Sequence, residues 1–105
     1  MTLRTEKFEE LIRRAAATFL ERESNGDAMI SVTHVSVTPD LRQAKVFLSV
    51  FPADKEAAVL HFAMRNGGEM RGYLKEHLST KTIPFVTFEI DLGEKARQKI
   101  DDLLR

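Results

Sequence analysis

Cysteine is absent from this 105-residue sequence. Its absence excludes disulfide staples, thiolate metal sites and a thiol nucleophile, and it fits a reducing compartment. Long apolar runs are missing too: no stretch approaches the roughly 18 residues that a membrane span needs. No secretory leader is expected, because Glu6, Lys7, Glu9, Glu10, Arg13 and Arg14 break up every candidate apolar region near the start. The expectation is a cytoplasmic protein without membrane contact. An excess of one charge is lacking as well. Sixteen basic side chains stand against sixteen acidic ones, whereas domains that hold nucleic acid by bulk charge usually have a pI above about 9. Any nucleic-acid binding must come from a face on which cations are segregated.

Catalytic patterns are also missing. His34, His61 and His77 have no ligand spacing such as His-x-x-x-His, and no Cys joins them. Nothing resembles a nucleophile motif. The expectation is no enzymatic activity, no metal, no cofactor and no small-molecule substrate.

What is present is enough apolar material for one small domain, residues 1–105: the hydrophobic fraction is 43%, with seven Phe. From Thr5 to Glu23, Phe8, Leu11, Ile12, Ala15 and Phe19 recur at helical spacing. Thr5 is the expected N-cap, and Ser24-Asn25-Gly26 the stop. Met29–Val37 is rich in β-branched residues, but its apolar parity slips near His34, as a bulge would require. Thr38-Pro39-Asp40 has turn chemistry. Ala44, Val46, Leu48 and Val50 then alternate with Lys45, Phe47 and Ser49, completing an antiparallel hairpin.

A second helix is expected after Pro52, with Asp54 as N-cap and Ala57, Leu60 and Ala63 buried. Asn66-Gly67-Gly68 breaks it, since two glycines inside a helix cost about 2 kcal/mol relative to alanines. Helical spacing resumes at Met70, Tyr73, Leu74, His77 and Leu78. Pro84 forces Ile83 into an extended conformation, and Val86, Phe88 and Ile90 alternate as a third strand. Ala96, Ile100, Leu103 and Leu104 mark a short C-terminal helix. The fold class is therefore α+β: a three-stranded sheet covered on one face by helices, with a helix break at 66–68.

The order αββααβ resembles that of type II KH domains, and four segments are similar to one family with that fold, ribosome-binding factor A. They are Val35 to Val46, with its Asp40-Leu41 turn before Ala44-Lys45-Val46; Gly68-Glu69-Met70-Arg71-Gly72-Tyr73-Leu74; Ile83 to Asp91; and Ile100 to Leu104. The resemblance spans roughly residues 6–104. It implies a monomeric, cofactor-free KH-like domain that binds the small ribosomal subunit and its rRNA during late maturation and 16S rRNA processing, and that supports growth in the cold. The Gly-x-x-Gly loop of ordinary KH domains is absent: Gly67-Gly68-Glu69-Met70 ends in Met. Where the family usually has an Ala-x-Gly kink, Asn66-Gly67-Gly68 stands instead.

Two accounts of the break stay open on the residues alone. It is a loop joining two helices, or a place where backbone comes close to a phosphate. Arg65, Arg71, Lys75 and Lys81 flank it and are either a solvated surface, partly cancelled by Glu69 and Glu76, or phosphate contacts. With the resemblance, the candidate RNA-binding residues are Arg65, Asn66, Gly67, Gly68, Arg71, Lys75 and Lys81. Arg42 and Lys45 are weaker candidates, and Arg4, Lys7, Arg13 and Arg14 read as an ordinary charged helix face. Phe47 and Phe51, on the outer face of the second strand, are the aromatics that could stack on bases. The competing function is a protein-interaction module that uses an open sheet face without binding RNA.

Overall fold

The structure is a computed structural model that describes residues 3–23, 26 and 28–105. Helix α1 runs Leu3–Glu23 and starts ahead of its expected cap. Leu3 and Arg4 are good helix formers, so Thr5 lies inside the first turn instead of capping it. Ser24 and Asn25, the first two residues of the expected stop, lie outside the described residues, but Gly26 takes the positive φ of 84° that glycine alone adopts cheaply. Phe8, Ile12, Ala15, Ala16, Phe19 and Leu20 are buried, whereas Leu11 is exposed. The buried stripe is thus turned toward Ala16 and Leu20.

Strands β1 (Met29–Val37) and β2 (Gln43–Phe51) pair antiparallel, and the register slips between Val32 and His34. That is the bulge which the parity change demanded. Beyond it Val35 and Val37 point inward, opposite Val46 and Ala44. Strand β3 (Phe85–Ile90) pairs parallel with β2, from Gln43↔Phe85 to Leu48↔Ile90. The sheet order is β1-β2-β3, so β3 is an edge.

A 3-10 turn at Ala53–Lys55 precedes α2 (Glu56–Arg65). Asp54 therefore belongs to the turn and caps nothing. The helix begins later than expected, and docking against β3 fixes its phase: Val59 and Ala63 are buried, Leu60 is half-buried and Ala57 is exposed. Only Asn66 separates α2 from α3 (Gly67–His77), and both glycines are helical. The break stands where expected but on one residue. Asn66 donates from its side-chain amide to the Phe62 carbonyl at 2.8 Å and from its backbone N–H to the same oxygen at 3.1 Å, closing α2. Its own carbonyl accepts from Met70 N, opening α3.

Helices α1, α2 and α3 cover one face of the sheet. Ile12, Leu20, Val46, Leu48, Met70 and Leu74 are the fully sealed centre of the core. Burial of each is worth roughly 2 kcal/mol. Helix α4 (Leu92–Leu104) does not join them. None of its residues is buried, and Leu92, Ile100, Leu103 and Leu104 stand in solvent.

Candidate nucleic-acid interface

Helix α3 has one face free of the core. Gly68, Arg71, Gly72 and Lys75, at i, i+3, i+4 and i+7, form a single stripe. With Lys81 and Ile83 from the loop that follows, they line a shallow depression. Glu69 and Glu76 lie about 90–110° further around the helix than the middle of this stripe, at 3.6 residues per turn. The acidic side chains that offset this cluster in the sequence therefore point elsewhere. A side chain built at Gly68 or Gly72 would meet nothing within 4 Å, so backbone is open to close approach along this stripe.

Lys81 also lines a second groove, whose other walls include Arg4, Lys7, Leu11 and Leu41. The two depressions form one track through Lys81: Arg4 and Lys7 on α1, Lys81 in the loop, Lys75 and Arg71 on α3. Among the described residues, none of these five cations is in an ion pair. Elsewhere five of the other eleven basic residues are paired with carboxylates, while Arg22, Arg42, Lys55, Arg65, Lys99 and Arg105 are in none of the ion pairs among the described residues and line neither depression. Glu10 binds Arg13 at 2.6 Å and Arg14 at 3.0 Å, and the Arg13 bond leads in holding its carboxyl down to about 2. Glu9 accepts from the backbone of Val37, at the end of β1. Lys45 lies 3.7 Å from Glu89, Lys95 2.9 Å from Glu56, and Arg97 is bonded to Glu94.

The seven sequence candidates divide on this surface. Gly68, Arg71, Lys75 and Lys81 come together in one depression. Gly67 opens α3 beside it. Arg65 ends α2 on the far side of the Asn66 turn and does not line the depression, although it is exposed. The amide of Asn66 is committed to the Phe62 carbonyl. Of the weaker pair, Lys45 is paired with Glu89, while the carbonyl of Arg42 accepts from Phe85 N at 2.8 Å, which brings Arg42 to the start of β3.

Sequence reasoning missed three residues. Arg4 and Lys7 read in the sequence as part of a mixed helix face, yet with Phe8 and Leu11 they follow i, i+3, i+4, i+7; Glu6 and Glu9 fall on the other side, and Glu10, a neighbour of Lys7 at i+3, is taken by Arg13 and Arg14. The third is Phe85, an exposed ring on the edge strand with the Arg71 guanidinium 4.6 Å from its centroid. Arg71 also reaches the Ile83 carbonyl at 3.4 Å, and so wraps from α3 around the sheet edge.

Among the described residues, no group of three or more His, Asp or Glu side chains is arranged to hold a metal ion. Among the described residues, no helix is long and apolar enough to cross a membrane.

The profile of the family described as Ribosome-binding factor A matches residues 4–104. A relative of that name from Magnetococcus marinus is 32% identical over 108 residues, covering 99% of this chain and 88% of its own. Another, from Parvibaculum lavamentivorans, is 36% identical over 100 residues, with coverages of 90% and 71%. The crystal structure of ribosome-binding factor A from Thermus thermophilus superposes with a TM-score of 0.74 at 17% identity, covering 82% of this chain and 93% of that one. A Thermus thermophilus homology model fitted into a cryo-EM map of a 30S complex gives 0.69 at 18% identity, with coverages of 79% and 90%. The two superpositions speak for the fold, and the sequence matches run through every helix and strand that builds it: the chain belongs to the ribosome-binding factor A family.

Proposed function

We propose that this protein is an assembly factor that binds the small ribosomal subunit through its rRNA during late maturation and 16S rRNA processing. It acts in the cytoplasm as a monomer, by binding and without chemistry. The carrying observation is the track of unpaired cations Arg4, Lys7, Lys81, Lys75 and Arg71 in a protein whose net charge is zero. Cations without carboxylate partners on one surface are what phosphate contacts require, and of the other eleven basic residues five are tied to carboxylates and six line neither depression of this track. Family membership supports the same partner, as does the 30S complex in which the Thermus thermophilus protein was placed.

The test is sedimentation of purified protein with free small subunits. Arg71→Glu should weaken binding by more than the loss of one contact, because it sets a like charge against phosphate. Arg13→Glu, on the other face of α1, should matter far less. Arg71→Glu binding as tightly as the parent at low salt would exclude this face.

A second reading, a protein partner, is favoured by one observation at the opposite end of the sheet. Met29 and Phe51 are cross-strand neighbours, 73% and 69% exposed, and form a bare apolar pair there. Met29→Ser/Phe51→Ser losing subunit binding while Arg71→Glu keeps it would select that reading.

A further inference from the structure

We propose that Phe85 is a base-stacking platform, and that the basic track therefore selects unpaired RNA over duplex. The inference rests on the reading of that track as the RNA contact. Phe85 is the first residue of edge strand β3, and it is 65% exposed even with the Arg71 guanidinium lying over its ring. An aromatic ring in that position is not filling a core. Burying it inside would have been favourable by roughly the same amount as for the other Phe residues, yet alternation along β3 sends Val86 and Phe88 inward and leaves Phe85 out.

Its surroundings suit a nucleotide. Arg71 touches both the ring and the Ile83 carbonyl, so the guanidinium is fixed between Phe85 and the depression that Lys75 and Lys81 share. Lys75 and Lys81 supply the charge for phosphates. Gly68 and Gly72 leave room for a sugar–phosphate chain, since apart from their chain neighbours and the helix's own backbone nothing lies within 4 Å of where their Cβ atoms would be. Arg42 is held at the same corner by the bond from Phe85 N to its carbonyl. A phosphate chain with a free base beside it matches this combination, because stacking needs a base whose face is not already covered by its neighbours. A purely apolar protein surface does not match it, as it would leave the cations desolvated without partners.

The experiment uses a fluorescein-labelled ten-nucleotide oligoadenylate, single-stranded and annealed to its complement. Parent protein should bind the single strand at least about tenfold more tightly than the duplex. Phe85→Ala and Phe85→Leu should weaken single-strand binding between about 5- and 150-fold, the range for loss of one stacked base, and leave duplex binding unchanged. Displacement of Arg71 alone would instead weaken both forms equally. The sequence has no tryptophan, so Phe85→Trp gives a sole indole reporter. That variant should retain binding, and its emission should be quenched by the single strand.

Single-strand binding by Phe85→Leu equal to that of the parent, unaltered indole emission, or preference for duplex would each overturn the proposal. So would variants that lose subunit binding although neither RNA form binds the parent, since Phe85 would then meet a protein. Parallel sedimentation separates the two levels. If Arg71→Glu loses subunits and the Phe85 variants do not, the track stands and stacking falls; if Arg71→Glu keeps them, both fall.

Discussion

At the scale of single residues, one carboxylate joins three parts of the fold. Asp91 follows β3, and its backbone N–H donates to the Leu48 carbonyl of β2 at 2.8 Å. One oxygen caps α4 by accepting from Glu94 N at 3.0 Å, and the other accepts from the Thr33 hydroxyl at 2.6 Å, at the β1 bulge. The Thr33 bond leads in holding the Asp91 carboxyl below the usual carboxylate range, with the helix-capping bond second. A carboxylate whose pKa is lowered by folding contributes stability above its unfolded pKa and loses it as pH falls toward the folded value. Asp91→Ala should therefore cost about 1–2 kcal/mol in urea unfolding at pH 7, one N-cap plus one hydrogen bond. The gap between parent and variant should close as pH is lowered through the acidic range. A gap that is constant from pH 7 to pH 3 would exclude the ionised carboxylate as its source. In the core, Ile12 is completely buried, and Ile12→Ala should cost about 2–5 kcal/mol, measured the same way.

At the scale of elements, α2, Asn66 and α3 show what local sequence encodes and where it stops. The paired glycines marked a break correctly, since their cost in a helix interior is real. Within 66–68 they did not single out its residue, because the first turn of a helix lacks the inner hydrogen bonds whose loss is being counted, so both glycines can be helical. The break falls on Asn66, whose side chain can close a helix end and whose φ of −97° and ψ of 17° are off the helical values. The phase of α2 was not legible either. Ala57 and Val59 are both apolar, and only contact with β3 decides that Val59 is the buried one. Alternation in β2 and β3, by contrast, was fully readable, because a sheet with one covered face leaves no second register. Both glycines have room for a methyl group and neither has a positive φ, so Gly67→Ala and Gly68→Ala should each stabilise the protein by roughly 0.4–1 kcal/mol. Only Gly68 lines the basic depression. Gly68→Ala should then weaken RNA binding while Gly67→Ala does not, and equal binding by the two variants would remove any role for close backbone approach.

At the scale of the whole molecule, the sheet separates two chemistries. At the Gln43–Phe85 end lie Arg42, Arg71, Lys81 and, through the groove beside Leu41, Arg4 and Lys7. At the other end of β2, roughly 26 Å away at about 3.3 Å per residue, Phe51 and α4 bring in Asp101 and Asp102. The composition hid this segregation, as a net charge of zero is silent about where charges sit. Half of the track was nevertheless readable as helical spacing on α3, and the α1 half needed the loop that carries Lys81 beside Lys7. The consequence is quantitative. If all five track cations meet phosphates, log affinity for small subunits should fall against log salt with a slope of about −3.5 to −4.5, at roughly 0.7–0.9 per contact. Lys75→Gln and Lys81→Gln should each make that slope shallower by about one such contact, and the double variant by two, since neighbouring phosphates release their counterions independently. Lys99→Gln, at the α4 end, should leave it unchanged. A parent slope shallower than about −1 would mean that binding energy comes from burial of apolar groups such as Met29 and Phe51, which carries no counterion release. A slope that Lys99→Gln alters as much as Lys75→Gln would instead put phosphate contacts at the α4 end and not on the track alone.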